Sequence, residues 1–203
     1  MVEAMEAVIL AAGYSSRAAE FKMTLKLGTM TVLEHTVSKF EGICKKVIVV
    51  CGFEAERIKE AVSEMMNNHK YDMDIECVVN PSFNQGMFSS IQRGCREVAA
   101  SSFFITPGDC PLVDKVTIRN LAIEQGQVVI PSFRLKGGHP IKLAGEIKTR
   151  ILEAPAHSNL REILQGYEKT YLNLEDPGVL MDLDTPEDFE QATEYFNACG
   201  KKR

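Results

Sequence analysis

Ala7-Val8-Ile9-Leu10-Ala11-Ala12-Gly13 is the first organised stretch of the chain, and its reading decides the fold. Four apolar residues in a row, without polar alternation, fit a strand buried on both faces. The small residues that follow fit a tight loop at the strand's carboxyl end. The same unit recurs three times. Val47-Ile-Val-Val50 runs to Gly52, Ile75-Glu-Cys-Val-Val79 to Asn80-Pro81, and Phe103-Phe-Ile105 to Pro107-Gly108-Asp109. Helical patterns stand between them. Thr31-Val-Leu-Glu34 reads as a capping box opening a helix whose buried stripe is Leu33, Val37 and Phe40. Ile58, Val62 and Met65 mark the next helix, a third is expected over about Ser89–Val98, and a fourth after Asp114. Strand, helix, strand, helix with continuous apolar strands predicts an α/β fold, a mostly parallel sheet with helices on both faces. Ligands of such sheets sit at the carboxyl ends of the strands. Here that edge is where the small and polar residues collect.

Beyond residue 126 the rhythm changes. Strands are expected at Val128–Ile130 and His139–Leu143, and near Tyr171 and Leu180, with short helices between them. Thr185-Pro-Glu-Asp188 opens a last helix with proline at its first position. We read residues 1–203 as a single domain in two halves, 1–125 and 126–203. The second half is a smaller β-containing insertion that completes one site.

At 203 residues, 45% hydrophobic and 25% charged, the chain has the composition of one packed domain. Lysine and arginine number 23 against 28 aspartates and glutamates, a formal charge of -5, which argues against the broad basic surface of a nucleic-acid binder. A small, locally positive pocket stays open. Apolar runs such as Val47–Cys51 are too short to span a bilayer. Glu3 and Glu6 stand where a secretion signal needs positive charge. The six cysteines contain no C-x-x-C pair, the spacing of zinc knuckles and thioredoxin-type sites. The expectation is a cytoplasmic protein with neither membrane nor nucleic acid as partner.

Three stretches carry the chemistry. In Leu10-Ala-Ala-Gly-Tyr-Ser-Ser-Arg-Ala-Ala-Glu-Phe-Lys22, small residues let backbone amides face an anion, while Ser15, Ser16, Arg17 and Lys22 add hydroxyl and cationic donors. The spacing is neither a P-loop nor a dinucleotide fingerprint, and a solvated serine-rich loop fits the composition equally well. Thr106-Pro107-Gly108-Asp109-Cys110-Pro111 aims a carboxylate rigidly, as a divalent cation requires. A turn in which Asp109 bonds its own backbone is the commoner outcome of such a spacing. Helix capping explains Thr185, Pro186, Glu187 and Asp188 but leaves Asp182 and Asp184 as unexplained charge after an apolar segment. Weaker signals follow. Asn80 to Ser89-Ser90 leads into a helix start able to face an anion, with Met87 and Phe88 read as core or lid packing. Gly138-His139-Pro140 sets a histidine on a glycine hinge. Cys110 is either reactive or merely space-filling.

Together, in this order, these pieces resemble the MobA-like nucleotidyltransferase family, and within it the molybdenum cofactor cytidylyltransferase branch. Leu10–Gly13 with Ser15-Ser16-Arg17 and Lys22 is similar to the family's LAAGxSSRMGxxK opening. Asn80–Gly94 is similar to its third-strand asparagine and helix entry, Gly108-Asp109-Cys110-Pro111 to GDxP, Gly138-His139-Pro140 to GHP, and Asp182–Asp188 to its D-x-D-T-P-E-D ending. The resemblance implies a Rossmann-like fold and a magnesium-dependent transfer of CMP from CTP to the terminal phosphate of molybdopterin, with release of pyrophosphate. It implies catalytic roles for Arg17, Lys22 and Asp109. The nucleotide would lie against Leu10, Ala11, Ala12, Gly13, Ser15, Ser16, Arg17, Lys22, Asn80, Ser89 and Gly108. The acceptor would meet Gly138, His139 and Pro140, and Mg2+ would be held by Asp109 and Asp184. Residues 1–125 become the nucleotide-binding half and 126–203 the half that binds acceptor and completes the metal site, with a molybdoenzyme as the onward partner. Ala12, where the family's guanylyltransferases carry a second glycine, points to CTP.

One departure stands out: Ala18-Ala19 replaces the family's Met-Gly. If that glycine serves a positive φ or a close phosphate approach, alanine there costs on the order of 1 kcal/mol or shifts the loop. Two other readings remain: transfer to a sugar or polyol phosphate, and a nucleotide-binding cofactor chaperone with weak catalysis.

Overall fold

The computed structural model describes residues 5–14 and 21–200, with side chains through residue 198. Its frame is one eight-stranded sheet. The parallel strands β1 (Met5–Ala11), β4 (Cys44–Cys51), β5 (Asp74–Val79) and β6 (Ser102–Pro107) are those expected from the apolar runs. A two-stranded hairpin, β2 (Lys26–Leu27) with β3 (Met30–Thr31), stands apart and was not foreseen. The second half adds β7 (Val128–Phe133), β8 (Lys136–Gly137), β9 (Ile141–Ala144) and β10 (Lys169–Asn173) to the same sheet. The order is β10-β7-β9-β6-β1-β4-β5, with β8 on β7. β9 runs antiparallel to both β6 and β7, whereas β10 pairs parallel with β7.

Every residue of β1 is buried, because helices cover both faces. Odd-numbered Ala7, Ile9, Val47 and Val49 pack under α1 (Val32–Ser38), α2 (Ala55–Asn68) and α4 (Lys115–Ile123), against Leu33, Val37, Ile58, Val62, Ile118 and Leu121. Even-numbered Val8, Leu10, Ile48 and Val50 pack against Phe88, Ile91 and Cys95 of α3 (Met87–Cys95) and Ile147 and Ile151 of α5 (Ile147–Glu153). This two-fold division follows from the alternation of Cβ directions along each strand. Gly94 lets α3 lie close on the sheet: a Cβ there would fall on the Val8 methyl and 2.9 Å from Val50 Cγ2.

The capping signals are realised. Glu34 N–H donates to Thr31 Oγ1 at 3.1 Å and Glu34 accepts from the Thr31 amide at 3.2 Å. At α7 (Pro186–Gly200) Thr185 and Asp188 make the same reciprocal pair, at 2.8 and 3.1 Å. Phe40 is buried although α1 ends before it. Boundaries move: the third helix spans Met87–Cys95, the strand at Val128 runs on to Phe133, and the strand after His139 begins at Ile141. The strand expected near Leu180 is a correction. Pro177–Leu180 is a single 3-10 turn, because Pro177 offers no amide to a sheet and Asp176 instead accepts from Gly178 N at 2.9 Å. No helix among the described residues is long and apolar enough to cross a membrane.

Candidate active site

From β1 the chain moves to β4 and β5 on one side, then returns to place β6 on the other. The crevice at this reversal lies over the carboxyl ends of β1 and β6, where Leu10 pairs with Pro107. The loops above it are pinned. Gly108 N–H donates to the Leu10 carbonyl at 2.9 Å, and Thr36 Oγ1 donates to the Gly108 carbonyl at 2.9 Å. Phe53 N–H reaches the Ala12 carbonyl at 3.1 Å. Tyr14, 55% exposed, rests on Phe53 and Phe83 with ring centroids 4.9 and 5.4 Å away.

The second half is fastened to these loops through its own backbone. Leu183 N–H donates to the Asp109 carbonyl at 3.2 Å, and His139 N–H to the Val179 carbonyl at 2.9 Å. Gly138 is required there: any Cβ would overlap the Val179 carbonyl. Buried Asp176 accepts from Asp114 N, Thr117 Oγ1 and Gly178 N at 2.6–2.9 Å. These ties carry the segment after Val179 across the mouth of the crevice.

The result is a cleft of about 400 Å³ whose lining includes Leu10, Ala12, Gly13, Lys22, Asp109, Asp182 and Asp184. Lys22, in a 3-10 turn (Lys22–Thr24), donates through Nζ to Asp109 Oδ2 and, at 3.0 Å, to Asp184 Oδ1. Burial works to lower the pKa of this ammonium, but the two carboxylates outweigh it and the net shift is upward. Among the described residues the other oxygen of Asp109, Oδ1, is buried without a hydrogen-bond partner, a costly state for a carboxylate. An orphaned buried carboxylate oxygen in a cleft that Asp182 and Asp184 also line fits a hard cation, although the described residues hold no ready-made cluster of three ligating side chains. Burial first, then Asp109 and Asp182, push the Cys110 thiol well up, so it is the protonated, space-filling alternative that the structure favours.

A second cavity, about 560 Å³, adjoins the cleft and shares Leu10, Met87 and Pro107 with it. Ile105, Ile130, Ile141, Leu160 and Tyr171 give it apolar walls, and His139 faces it. Desolvation holds the imidazole pKa down although Asp109 and Asp182 pull it up, and its Nδ1 has no hydrogen-bond partner among the described residues.

The predicted residues separate into three groups. Leu10, Ala12, Gly13, Lys22, Asp109 and Asp184 line the cleft; His139 and Gly138 line the neighbouring space. Ala11, Asn80, Ser89, Gly108 and Pro140 are buried behind these surfaces. Asn80 donates to Ser89 Oγ and Ser90 Oγ at 2.9 and 3.0 Å and accepts from Ser82 N at 3.0 Å, while Ser89 Oγ donates to the Ser82 and Gly86 carbonyls. Their polar atoms brace the entry to α3, with Ser90 at the cleft wall. Ser15, Ser16, Arg17 and the Ala18-Ala19 departure lie outside the described residues. Met87 corrects the packing expectation. It is 65% exposed, on the wall between the two spaces, whereas Phe88 is buried as expected. Sequence reading missed Tyr14, Phe83 and Asn84 of the cleft and Arg161, Lys169 and Tyr171 of the cavity. An aromatic inside a loop of small residues was the available sign for Tyr14; the others carry no local signature.

Comparison with known proteins agrees with this fold. Molybdenum cofactor cytidylyltransferase of Escherichia coli (strain K12) is 26% identical over 196 residues, covering 96% of this chain and 98% of that protein. Among solved structures, a nucleotidyl transferase from Methanothermobacter thermautotroptrophicus superposes with a TM-score of 0.81 at 23% identity, covering 97% of this chain and 99% of that one. The 4-diphosphocytidyl-2C-methyl-D-erythritol synthase of Anaerococcus prevotii does so with 0.72 at 16% identity, covering 97% and 100%. Both likenesses are of fold. The family model described as "MobA-like NTP transferase domain" matches residues 7–171, and the chain is therefore a nucleotidyltransferase that belongs to this family.

Proposed function

We propose that the protein transfers CMP from CTP to the terminal phosphate of molybdopterin, in the cytoplasm, with Mg2+ as its metal. One observation carries this reading: two cavities of opposite lining meet along Leu10, Met87 and Pro107, as a reaction between two separate substrates requires. The choice of CTP and molybdopterin is supported by the likeness along nearly the whole chain to the E. coli cytidylyltransferase. A reducing compartment suits the five unpaired cysteines among the described residues.

The triphosphate lies over the Leu10–Gly13 loop, with Arg17 and Lys22 neutralising it. Asp109 and Asp184 would hold Mg2+, which would supply charge neutralisation on the triphosphate. Lys22 already spans both carboxylates, so its ammonium is placed to turn from them toward phosphate oxygens. The acceptor enters from the cavity at His139. An oxygen of its terminal phosphate forms a bond to the α-phosphorus, the bond from that phosphorus to the β-phosphate's bridging oxygen breaks, and pyrophosphate departs with the electron pair. A phosphate monoester is ionised at neutral pH, so no residue need remove a proton. Neutral His139 adds no charge and can accept or donate one hydrogen bond. The protein's contribution is to align two anions and screen their repulsion.

Purified protein with Mg2+, molybdopterin and each of the four nucleoside triphosphates in turn tests this. Pyrophosphate release with CTP alone is expected. Release only when a polyol phosphate replaces molybdopterin would establish the second reading, which the fold likeness to the A. prevotii synthase keeps in view. Tight CTP binding without release under any acceptor would make the protein a binding factor.

A further inference from the structure

Cys51 and Cys77 stand against each other as two free thiols. β4 and β5 pair with Val49 opposite Cys77 and Cys51 opposite Val79, so the thiols lie diagonally on one face of the sheet. Cys77 Sγ donates to Cys51 Sγ at 3.4 Å, and Cys51 Sγ donates to the Val78 carbonyl at 3.4 Å. Cys51 is buried, but β5 is the last strand of the sheet and Cys77 on it is only half-buried. A small molecule therefore reaches the pair past Cys77. The hydrogen bond from Cys77 holds the Cys51 thiol below its ordinary range against the effect of burial, and the charge of Lys59 helps. Cys77 is pushed up in return. Cys44, Cys95 and Cys110, the other thiols among the described residues, are buried and pushed up by desolvation. An ionisable thiol touching a protonated one is the arrangement of a reacting and a resolving cysteine.

The pair sits where the sheet meets the cleft. Asn80 N–H donates to the Cys51 carbonyl at 2.7 Å. Gly52, the next residue, is wedged between Phe83 and Ala12, which both line the cleft. A Cβ on Gly52 would lie 2.5 Å from Phe83 Cβ and 2.9 Å from Ala12 Cβ. A disulfide holds its sulfurs about 2.05 Å apart, so closing one here draws Cys51 and Cys77 together, and the packing at Gly52 leaves no slack to absorb the shift. We propose that Cys51 and Cys77 are a site of reversible oxidation, closed to a disulfide by hydrogen peroxide, and that closure weakens nucleotide binding in the adjoining cleft. The Cys51 sulfur attacks a peroxide oxygen: an S–O bond forms, the O–O bond breaks and hydroxide leaves. The Cys77 sulfur then attacks Cys51: the S–S bond forms, the S–O bond breaks and a second hydroxide leaves with the electron pair. The two thiol protons turn both hydroxides into water, and two electrons pass from sulfur to peroxide. A dithiol reductant reverses the change. None of this depends on which acceptor the protein uses.

The full chain is treated with hydrogen peroxide, quenched and digested with trypsin without reduction. Peptides 47–57 and 71–93, which carry Cys51 and Cys77, are expected to appear joined, lighter than their sum by two hydrogen atoms. Affinity for the nucleoside triphosphate that the protein binds best of the four should fall about tenfold on oxidation and return with dithiothreitol. Peroxide also oxidises exposed methionines such as Met87, a change dithiothreitol leaves in place, so only the reversible share counts. Cys77→Ser should bind nucleotide as the reduced wild type does and lose both the linkage and the reversible fall. Circular dichroism checks that it folds, and the peptide map of wild type stands without it. Absence of the joined peptide, a joined peptide with unchanged affinity, or a reversible fall that persists in Cys77→Ser would overturn the assignment.

Discussion

The cleft over β1 and β6 and the cavity beside it share one wall, Leu10, Met87 and Pro107, and differ in almost everything else. Three aspartates and one lysine are among the residues lining the first; apolar side chains, a neutral histidine and two cations line the second. A transferase that joins two anions faces a conflict here. Carboxylates that suit a cation escorting a triphosphate repel the acceptor's charges, and bare cations throughout would hold both substrates too far from each other's path. Separating the two linings by a ridge of uncharged side chains resolves it. The formal charge of -5 says nothing of this arrangement, since what matters is how charge is distributed between adjacent spaces.

The largest expected effect breaks the acidic side. Asp109→Asn should lower pyrophosphate release by about 10³-fold or more, the range for groups that stabilise transition-state charge. Thermal stability should hardly move, because Oδ1 has no partner among the described residues to lose, the asparagine side-chain oxygen can still accept from Lys22, and Lys22 keeps Asp184. A large loss of stability with turnover per folded molecule intact would make Asp109 a structural residue. Next, Lys22→Met should reduce turnover by roughly 10²–10³. It also leaves the aspartates facing one another, so Mg2+ should raise the variant's melting temperature more than it raises the wild type's. Equal Mg2+ shifts would separate the lysine from the cation site.

Gly138→Ala attacks the joint between the two regions. A methyl forced onto the Val179 carbonyl should cost about 1–3 kcal/mol, read as a lower urea midpoint; an unchanged midpoint would mean that the joint yields. A smaller effect probes the acid-free side: Arg161→Gln should raise the acceptor's KM about tenfold and leave that of CTP in place. A matching rise for CTP would merge the two sites into one. The smallest effect is one of pH. Desolvation favours neutral imidazole at His139, and likewise at buried His35. With folded pKa values below the unfolded value of about 6.5, the unfolded chain takes up protons first. Their contribution to stability is complete above that pH and is lost as pH falls below it toward the folded values. Urea midpoints between pH 7.5 and 5 should decline less for His139→Gln than for wild type.

How far the sequence could be read depended on the range of each interaction. Apolar runs and capping residues act within a few positions, so β1, β4, β5 and β6, the capping box at Thr31 and the helix start at Thr185 were legible. The segment near Leu180 misled because its apolar content matched a strand while Pro177 and Asp176 settled it as a turn. Asn80 and Ser89 were read as facing the nucleotide, yet a side chain's direction depends on its neighbours. Ser82, Ser89 and Ser90 take up all the hydrogen bonds described for the Asn80 side chain.

By itself the sequence determined the mostly parallel α/β sheet, marked Asp182 and Asp184 as unexplained charge, and offered Lys22 and Asp109 as candidates beside ordinary loop and turn readings. Tertiary structure alone decided that Lys22 meets Asp109 across 87 positions and Asp184 across 162. It also decided that Arg161, Lys169 and Tyr171, which form no motif, share a cavity free of acids. The physical reason is that secondary structure is fixed by neighbours along the chain. The electrostatic character of a cavity belongs instead to groups that only the closing of the sheet brings within range of each other.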